Sequence, residues 1–367
     1  MMTRTKQTKY LSAMTVSAVL TMVAGPALAQ TFYVSNSSTD TVSVIRPNDG
    51  GVIATIPVGD NPQSVAVSPD GLRVYTANAN DNTISVIDAA SLQTIATYFT
   101  AARPYNIVVS PDGTRLYVAN YTAQSVSVLN AQTGDITFTF NIDSNPIGLT
   151  LSRDGDKLFI GSYDSGLVYV QNTVNPTDLY PSLGLASYVY PGAATGNNDQ
   201  VLLPSSVGLH LYDTSTLTAQ LVTGGSTLHG AAYNAQSDYF AAADYNGEKL
   251  LVGHLATPQD RFEIALNGKP NFVAFNQDGS EVWAPYFGTY GDTTPMKVGR
   301  FQTSTGVLLG EYTVGGNPSG IAFHNSSPAT IPVPTPIPTL TEWAMILLGV
   351  VLAGFAALTL QRRRQNA

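Results

Sequence analysis

The stretch that decides the fold is Pro111-Asp112-Gly113-Thr114-Arg115-Leu116-Tyr117-Val118-Ala119-Asn120. Pro-Asp-Gly is turn chemistry, because proline presets φ and glycine accepts a positive φ. The following residues carry aromatic and branched side chains, which suits a short strand. The same pattern recurs with a period of 42. Leu116-Tyr-Val-Ala-Asn aligns with Phe32-Tyr-Val-Ser-Asn, with Val74-Tyr-Thr-Ala-Asn and with Leu158-Phe-Ile-Gly-Ser. A second alternating run follows each copy, as in Thr41 to Ile45, Thr83 to Ile87 and Ser125 to Leu129. A further strand precedes each turn, as in Ser64 to Ser68 before Pro69-Asp70-Gly71 and Asn106 to Ser110 before Pro111. Arg153-Asp154-Gly155 and Gln277-Asp278-Gly279 are weaker copies of the turn.

Four short strands per period of about 40 residues is the signature of a β-propeller blade. One blade cannot bury both faces alone, so blades must stack around an axis. Second-strand positions fall near 32, 74, 116, 158, 201, 240 and 282. First-strand positions fall near 64, 106, 148, 189, 230, 272 and 320. The reading is an all-β, seven-bladed propeller, with a ring of six or eight blades as the alternative. The chain opens on a second strand at Thr31 and closes on a first strand, Gly320 to His324. One blade therefore takes a strand from each end of the chain, which closes the ring without a free edge.

Composition agrees with many strands and tight turns. Glycine (32) and proline (22) are plentiful, and tyrosine (19) outnumbers lysine plus arginine (17). Charged residues make up 11%, against roughly 25% in ordinary soluble domains. Cysteine is absent, which excludes disulfides, thiolate metal sites, iron–sulfur clusters and a cysteine nucleophile. Outside the two ends the body carries a formal charge of about −13, since six basic residues but only Glu342 among the acids lie in those ends. Such a body repels DNA phosphates and anionic lipid, so no nucleic-acid partner is expected.

The ends read as targeting segments. Arg4, Lys6 and Lys9 precede an apolar stretch from Tyr10 to Gly25, and Ala27-Leu28-Ala29 offers a cleavage site. Residues 1–29 are expected to be a signal peptide, the alternative being an uncleaved anchor. Residues 30–327 form the propeller. Residues 328–340 hold a proline-rich spacer and a short motif, Ile337-Pro338-Thr339-Leu340. Residues 341–367 hold Trp343, an uncharged run from Ala344 to Leu360 and then Arg362, Arg363 and Arg364. That run is at the short end of what crosses a bilayer as a helix. The arginines would stay cytoplasmic, leaving the body outside.

This tail resembles the IPTL-CTERM class of exosortase-type sorting signals. The resemblance implies a Gram-negative host, an exosortase-type enzyme as partner, and anchoring by the helix until processing; a plain membrane anchor is the alternative. The family usually has glycine after the tryptophan, where this chain has Ala344. The repeats resemble the YVTN family of surface-layer-type propellers, with Tyr117-Val118-Ala119-Asn120 as the closest copy. The likeness is strong over 31–170 and 268–325 and weak between them. It implies a scaffold with no shared catalytic residues.

Catalytic motifs are missing from the sequence. No Gly-x-Ser-x-Gly elbow, phosphate-binding glycine loop or His-Glu-x-x-His occurs. His210, His229, His254 and His324 are scattered, and Asp154 and Asp156 form an isolated pair in a turn. No catalytic set, metal or cofactor is expected. The repeat does point to one place. Pro62, Pro104, Pro146, Pro270 and Pro318 lead into first strands, and the residues after them should crowd one mouth of the central channel. With His229 at the equivalent place, the candidate ligand-binding set is Gln63, Tyr105, His229, Asn271 and Ser319. Aromatic and amide groups with almost no charge suit a neutral polar ligand such as a sugar, or merely a solvated channel. Two stretches break the repeat, Leu183 to Asn198 and Phe287 to Pro295, and inserted loops on propellers can carry function.

The expected role is an exported, surface-sorted, non-enzymatic binding or structural scaffold, with an envelope protein or extracellular polysaccharide as partner. The alternative is a periplasmic enzyme such as a lactonase, or a redox-enzyme accessory. None of Glu248, Glu263, Glu281 and Glu311 precedes an inner strand, which disfavours a lactonase-type metal site.

Overall fold

The computed structural model describes residues 29–326, apart from 50, 178, 186–187, 217 and 289–295. Seven antiparallel sheets surround an axis, each with four strands in up-and-down order. Blade one joins both ends of the chain: Pro318–Ser326 is innermost, followed by Ala29–Asn36, Thr41–Arg46 and Gly51–Pro57. Blade two runs Pro62–Val67, Arg73–Asn78, Thr83–Asp88 and Gln93–Phe99, and blade three repeats it from Pro104–Val109 to Ile136–Asn141. Blades four, five and six begin at Pro146, Ala193 and Leu228. In blade seven the inner strand is split into Lys269–Pro270 and Ala274–Phe275. The seven-bladed ring and its strand-exchanged closure are thus as the repeat predicts. The expected leader up to residue 28 and the expected spacer, helix and basic tail over 328–367 lie outside the described residues.

The repeat motif has a physical reading. Its aromatic and branched positions are the core: Phe32, Val74, Leu116, Leu158, Phe240 and Val282 are all fully buried. The apolar side chains form seven clusters, one at each junction between neighbouring blades. At the closing seam Phe32 of blade one stacks on Trp283 of blade seven, with centroids 4.0 Å apart. The asparagine that ends the aromatic run in blades one to three is buried for a different reason. Asn78 Nδ2 donates to Thr83 Oγ1 (3.0 Å) and Ser85 Oγ (2.9 Å), tying the second strand to the third across the turn. Asn36 does the same with Thr41 and Ser43.

The Pro-Asp-Gly turns lie at the opposite rim. Asp70 accepts from Ser68 Oγ (2.6 Å) and from the Leu72 amide (3.0 Å), Asp112 and Asp154 cap their turns in the same way, and Asp278 accepts from both the amide and the hydroxyl of Ser280. These bonds hold the carboxyls of Asp70, Asp112 and Asp278 below the usual carboxylate range. Asp154 and Asp156 are part of such a turn. Ala29 pairs with Ser326 at this rim, whereas Asn36 pairs with Pro318 at the other. Both ends of the described chain therefore leave the ring on the Pro-Asp-Gly side.

Candidate functional site

Each inner strand starts at the rim away from the chain ends. Pro62 pairs with Asn78, Pro104 with Asn120, Pro146 with Ser162 and Leu228 with Asp244. The residue just beyond each second strand then bonds back to the residue just before the inner strand, as in Ala79 to Asn61, Tyr121 to Arg103, Tyr163 to Asn145 and Tyr245 to Thr227. This pairing brings three residue columns to the mouth. They are the residue before the inner strand, the second residue of that strand, and the residue after the second strand.

In blades three to seven these columns are rich in rings. Tyr105 and Tyr121 lie 6.1 Å apart, Tyr121 and Tyr163 5.8 Å, and Tyr163 and Tyr188 4.5 Å, between centroids. The series resumes with Tyr190, His229, Tyr245 and Phe287. His229 is clamped between Tyr190 (4.1 Å) and Tyr245 (4.0 Å), with interplanar angles of 21° and 13°. Tyr245 meets Phe287 at 6.0 Å. The hydroxyl of Tyr190 feels those of Tyr105, Tyr163, Tyr245 and Tyr188, and burial above all pushes its pKa up. Cations stand at two places: Arg103 lies 5.4 Å from the centroid of Tyr121, and the Lys269 ammonium 5.0 Å from that of Tyr245.

Blades one and two present Ser37 and Ala79 in place of the tyrosines, and both are buried. The aromatic lining is therefore an arc over one side of the mouth.

The expected set divides accordingly. His229 Nδ1 lies 2.8 Å from Asn271 Oδ1, so the sequence-predicted pair is brought together. With that oxygen accepting, Nδ1 carries the proton and Nε2 is left as an acceptor, without a hydrogen bond to any described residue. Burial lowers the imidazole to about 4; the Asn271 bond and Asp244 oppose the shift, and Lys269 adds to it. Tyr105 opens the arc. Gln63 and Ser319 are buried and spoken for: Gln63 Nε2 donates to Asn61 Oδ1, and Ser319 Oγ to the Pro62 carbonyl (2.7 Å).

Sequence reasoning missed Tyr190 and the column Tyr121, Tyr163, Tyr245 and Phe287. Tyr190 lies in the divergent stretch 183–198, where Val189 stands in place of the proline that marks other inner strands. Its position follows from register: Ala193 pairs with Leu202 as Ala66 pairs with Tyr75, and Tyr190 precedes Ala193 as Gln63 precedes Ala66. A search for rings recurring after the second strand would have found the column.

Beneath the mouth, the inner strands enclose a cavity of about 280 Å³. Ser64, Asn106, Leu149, Ala231, Phe272 and Ile321 are among its lining, which holds no charged residue. Asn106 stitches three blades, donating to Ser64 Oγ (3.1 Å) and accepting from the Leu149 amide (3.0 Å). Among the described residues, no group of three or more His, Cys, Asp or Glu side chains could hold a metal ion.

A family model described as YNCE-like beta-propeller matches residues 8–119, and one described as the IPTL-CTERM motif matches residues 335–364. The chain is thus a seven-bladed β-propeller with a C-terminal sorting motif. That motif implies export and surface sorting and suggests an exosortase-type sorting system. The fold is similar to hydrazine synthase from Kuenenia stuttgartiensis, with a TM-score of 0.66 at 16% identity, covering 75% of this chain and 92% of that one. It is also similar to the dihydro-heme d1 dehydrogenase NirN in complex with DHE, with a TM-score of 0.60 at 16% identity, covering 82% of this chain and 76% of that one. At such identity the likeness is one of fold alone. No curated protein matches the sequence.

Proposed function

We propose that this protein is an exported, surface-sorted propeller acting as a non-enzymatic binding or structural scaffold. Its partner is an envelope protein or an extracellular polysaccharide, and the mouth of the ring is where the partner sits. On this reading residues 1–29 are a leader, 30–327 the binding body, 328–340 the spacer with its sorting motif and 341–367 the helix and basic tail. An exosortase-type enzyme handles that tail, and the helix anchors the protein until then. The observation that carries the reading is the one-sided arc of tyrosines around His229. An arc of rings with an unpaired acceptor and an uncharged channel below it supports recognition better than bond-breaking chemistry.

The test is capture of envelope extract on the immobilised protein, compared with a Tyr105→Ala, His229→Ala double variant. Partner retention that is lost in the variant supports the mouth as the site. Equal retention by both proteins, or turnover of lactones by the wild type, overturns the reading.

A further inference from the structure

We infer that the mouth takes a neutral polysaccharide, laid along the tyrosine arc with one of its hydroxyls donating to His229 Nε2. This deepens the binding reading above and rests on it.

Three observations select that ligand class. The first is the rings. Tyr105, Tyr121, Tyr163 and Tyr188 follow one another in steps of 4.5 to 6.1 Å, and all are partly exposed. A polymer of sugar rings presents apolar C–H faces at a comparable repeat, and half-exposed tyrosines offer both an apolar body and a hydroxyl. The cavity below is only about 280 Å³, small for a buried ligand, so an occupant of the arc lies across the mouth.

The second is charge. Arg103 and Lys269 already cover faces of Tyr121 and Tyr245, so a cationic ligand would meet two like charges where it seeks ring faces. A polyanion meets a body of about −13, with Asp164 directly after Tyr163. A neutral chain escapes both penalties. His229 fits it as well: the imidazole stays neutral at physiological pH and offers a fixed acceptor, oriented through Asn271.

The third is backbone strain at the arc. In blades one, two, three and five the residue before the inner strand adopts a left-handed conformation, with φ of 47° at Asn317 and 58° at Asn61. Asparagine tolerates this region. Arg103 (57°) and Tyr188 (61°) occupy it too, and both belong to the arc. Strain retained where side chains converge points to use of those side chains.

The experiment is native affinity electrophoresis of the full-length protein in gels containing a β-glucan, an α-glucan, a galactomannan or, as the charged comparison, alginate. Retardation by at least one neutral polymer and not by alginate is expected. Tyr121→Ala and Tyr163→Ala should each weaken it about fivefold to tenfold. Tyr188→Asn, which gives the strained position the residue found in blade two, removes a ring without endangering the fold and should act in the same direction. Phe138→Ala, on the outer strand of blade three, should leave retardation unchanged. No retardation by any neutral polymer, retardation by alginate alone, or retardation indifferent to all three tyrosine variants overturns the inference. If the neutral polymers fail while a captured envelope protein is lost from the same variants, the sugar class falls and the binding mouth stands. If the variants retain every partner, both fall.

Discussion

Replacing His229 with glutamine should flatten the acid side of the protein's stability curve. The imidazole lies between Tyr190 and Tyr245, and burial lowers it to about 4 from an ordinary 6.5. The folded state therefore refuses a proton that the unfolded chain accepts. Stability from this group is complete above about pH 6.5, declines as pH falls and levels off below about pH 4. The whole decline is about 3 kcal/mol, from two to three pKa units at 1.4 kcal/mol each. Asp244 and Lys269 are the charges that face the ring, and they act in opposite senses. Carboxylates lose their contribution lower down. Asp213, held at about 2 chiefly by its bonds to Ser215 and Gln200, gives up stability only as pH falls from about 4 towards 2. His210, lowered by burial, adds a slope of the same sign to both proteins and cancels in the comparison. Glutamine is a fair replacement, because Gln63 holds the equivalent place in blade two. The assay is urea unfolding of wild type and variant at several values between about pH 7.5 and pH 4.5. The variant should be weaker at neutral pH, from lost stacking, yet show a shallower acid slope. Parallel slopes would refute the claim that the fold holds His229 neutral.

Three further outcomes follow from packing. Gly148→Ala would place a Cβ 2.5 Å from the Tyr190 carbonyl carbon and 2.8 Å from Pro191 N, where backbone on both sides cannot yield. It should cost about 2 kcal/mol or more in urea melts and disturb the near-ultraviolet signal of the tyrosines; a silent substitution would mean that blades four and five are not in contact there. Glu248 sits at φ 50° in an exposed turn, so Glu248→Asn should raise stability by about 0.5–1 kcal/mol, and a lower melting temperature would count against the strain. Phe32→Ala empties the seam where blade one meets blade seven, and an expected loss of about 3–5 kcal/mol can be read by calorimetry.

The fold was legible because each copy of the motif does the same physical work. Tyr33, Tyr75, Tyr117 and Phe159 fall on one buried column, and the Pro-Asp-Gly turns punctuate it every 42 residues. The site was half legible. His229 and Asn271 sit one repeat apart and could be found by alignment, and they do meet. Gln63 and Ser319 share their column, but hydrogen bonds to Asn61 and Pro62 hold them inside the wall. Column position alone does not say whether a side chain turns to the mouth or to its neighbours. Tyr190 was hidden because blade five departs from the repeat, and its inner strand shrinks to Ala193–Ala194. The second half of the aromatic arc depends on contacts between blades, which no single repeat contains.

The closure of the ring has a mechanical meaning. The tail continues from Ser326, at the far end of an inner strand whose other end, Pro318, is at the mouth. A partner gripping the mouth and an anchor holding the tail would pull along that strand. The hydrogen bonds joining it to Ala29–Asn36 lie across the pull, so they are loaded together in shear and do not open one by one. The seam that completes blade one is thus also the line along which a tethered, occupied propeller would carry load.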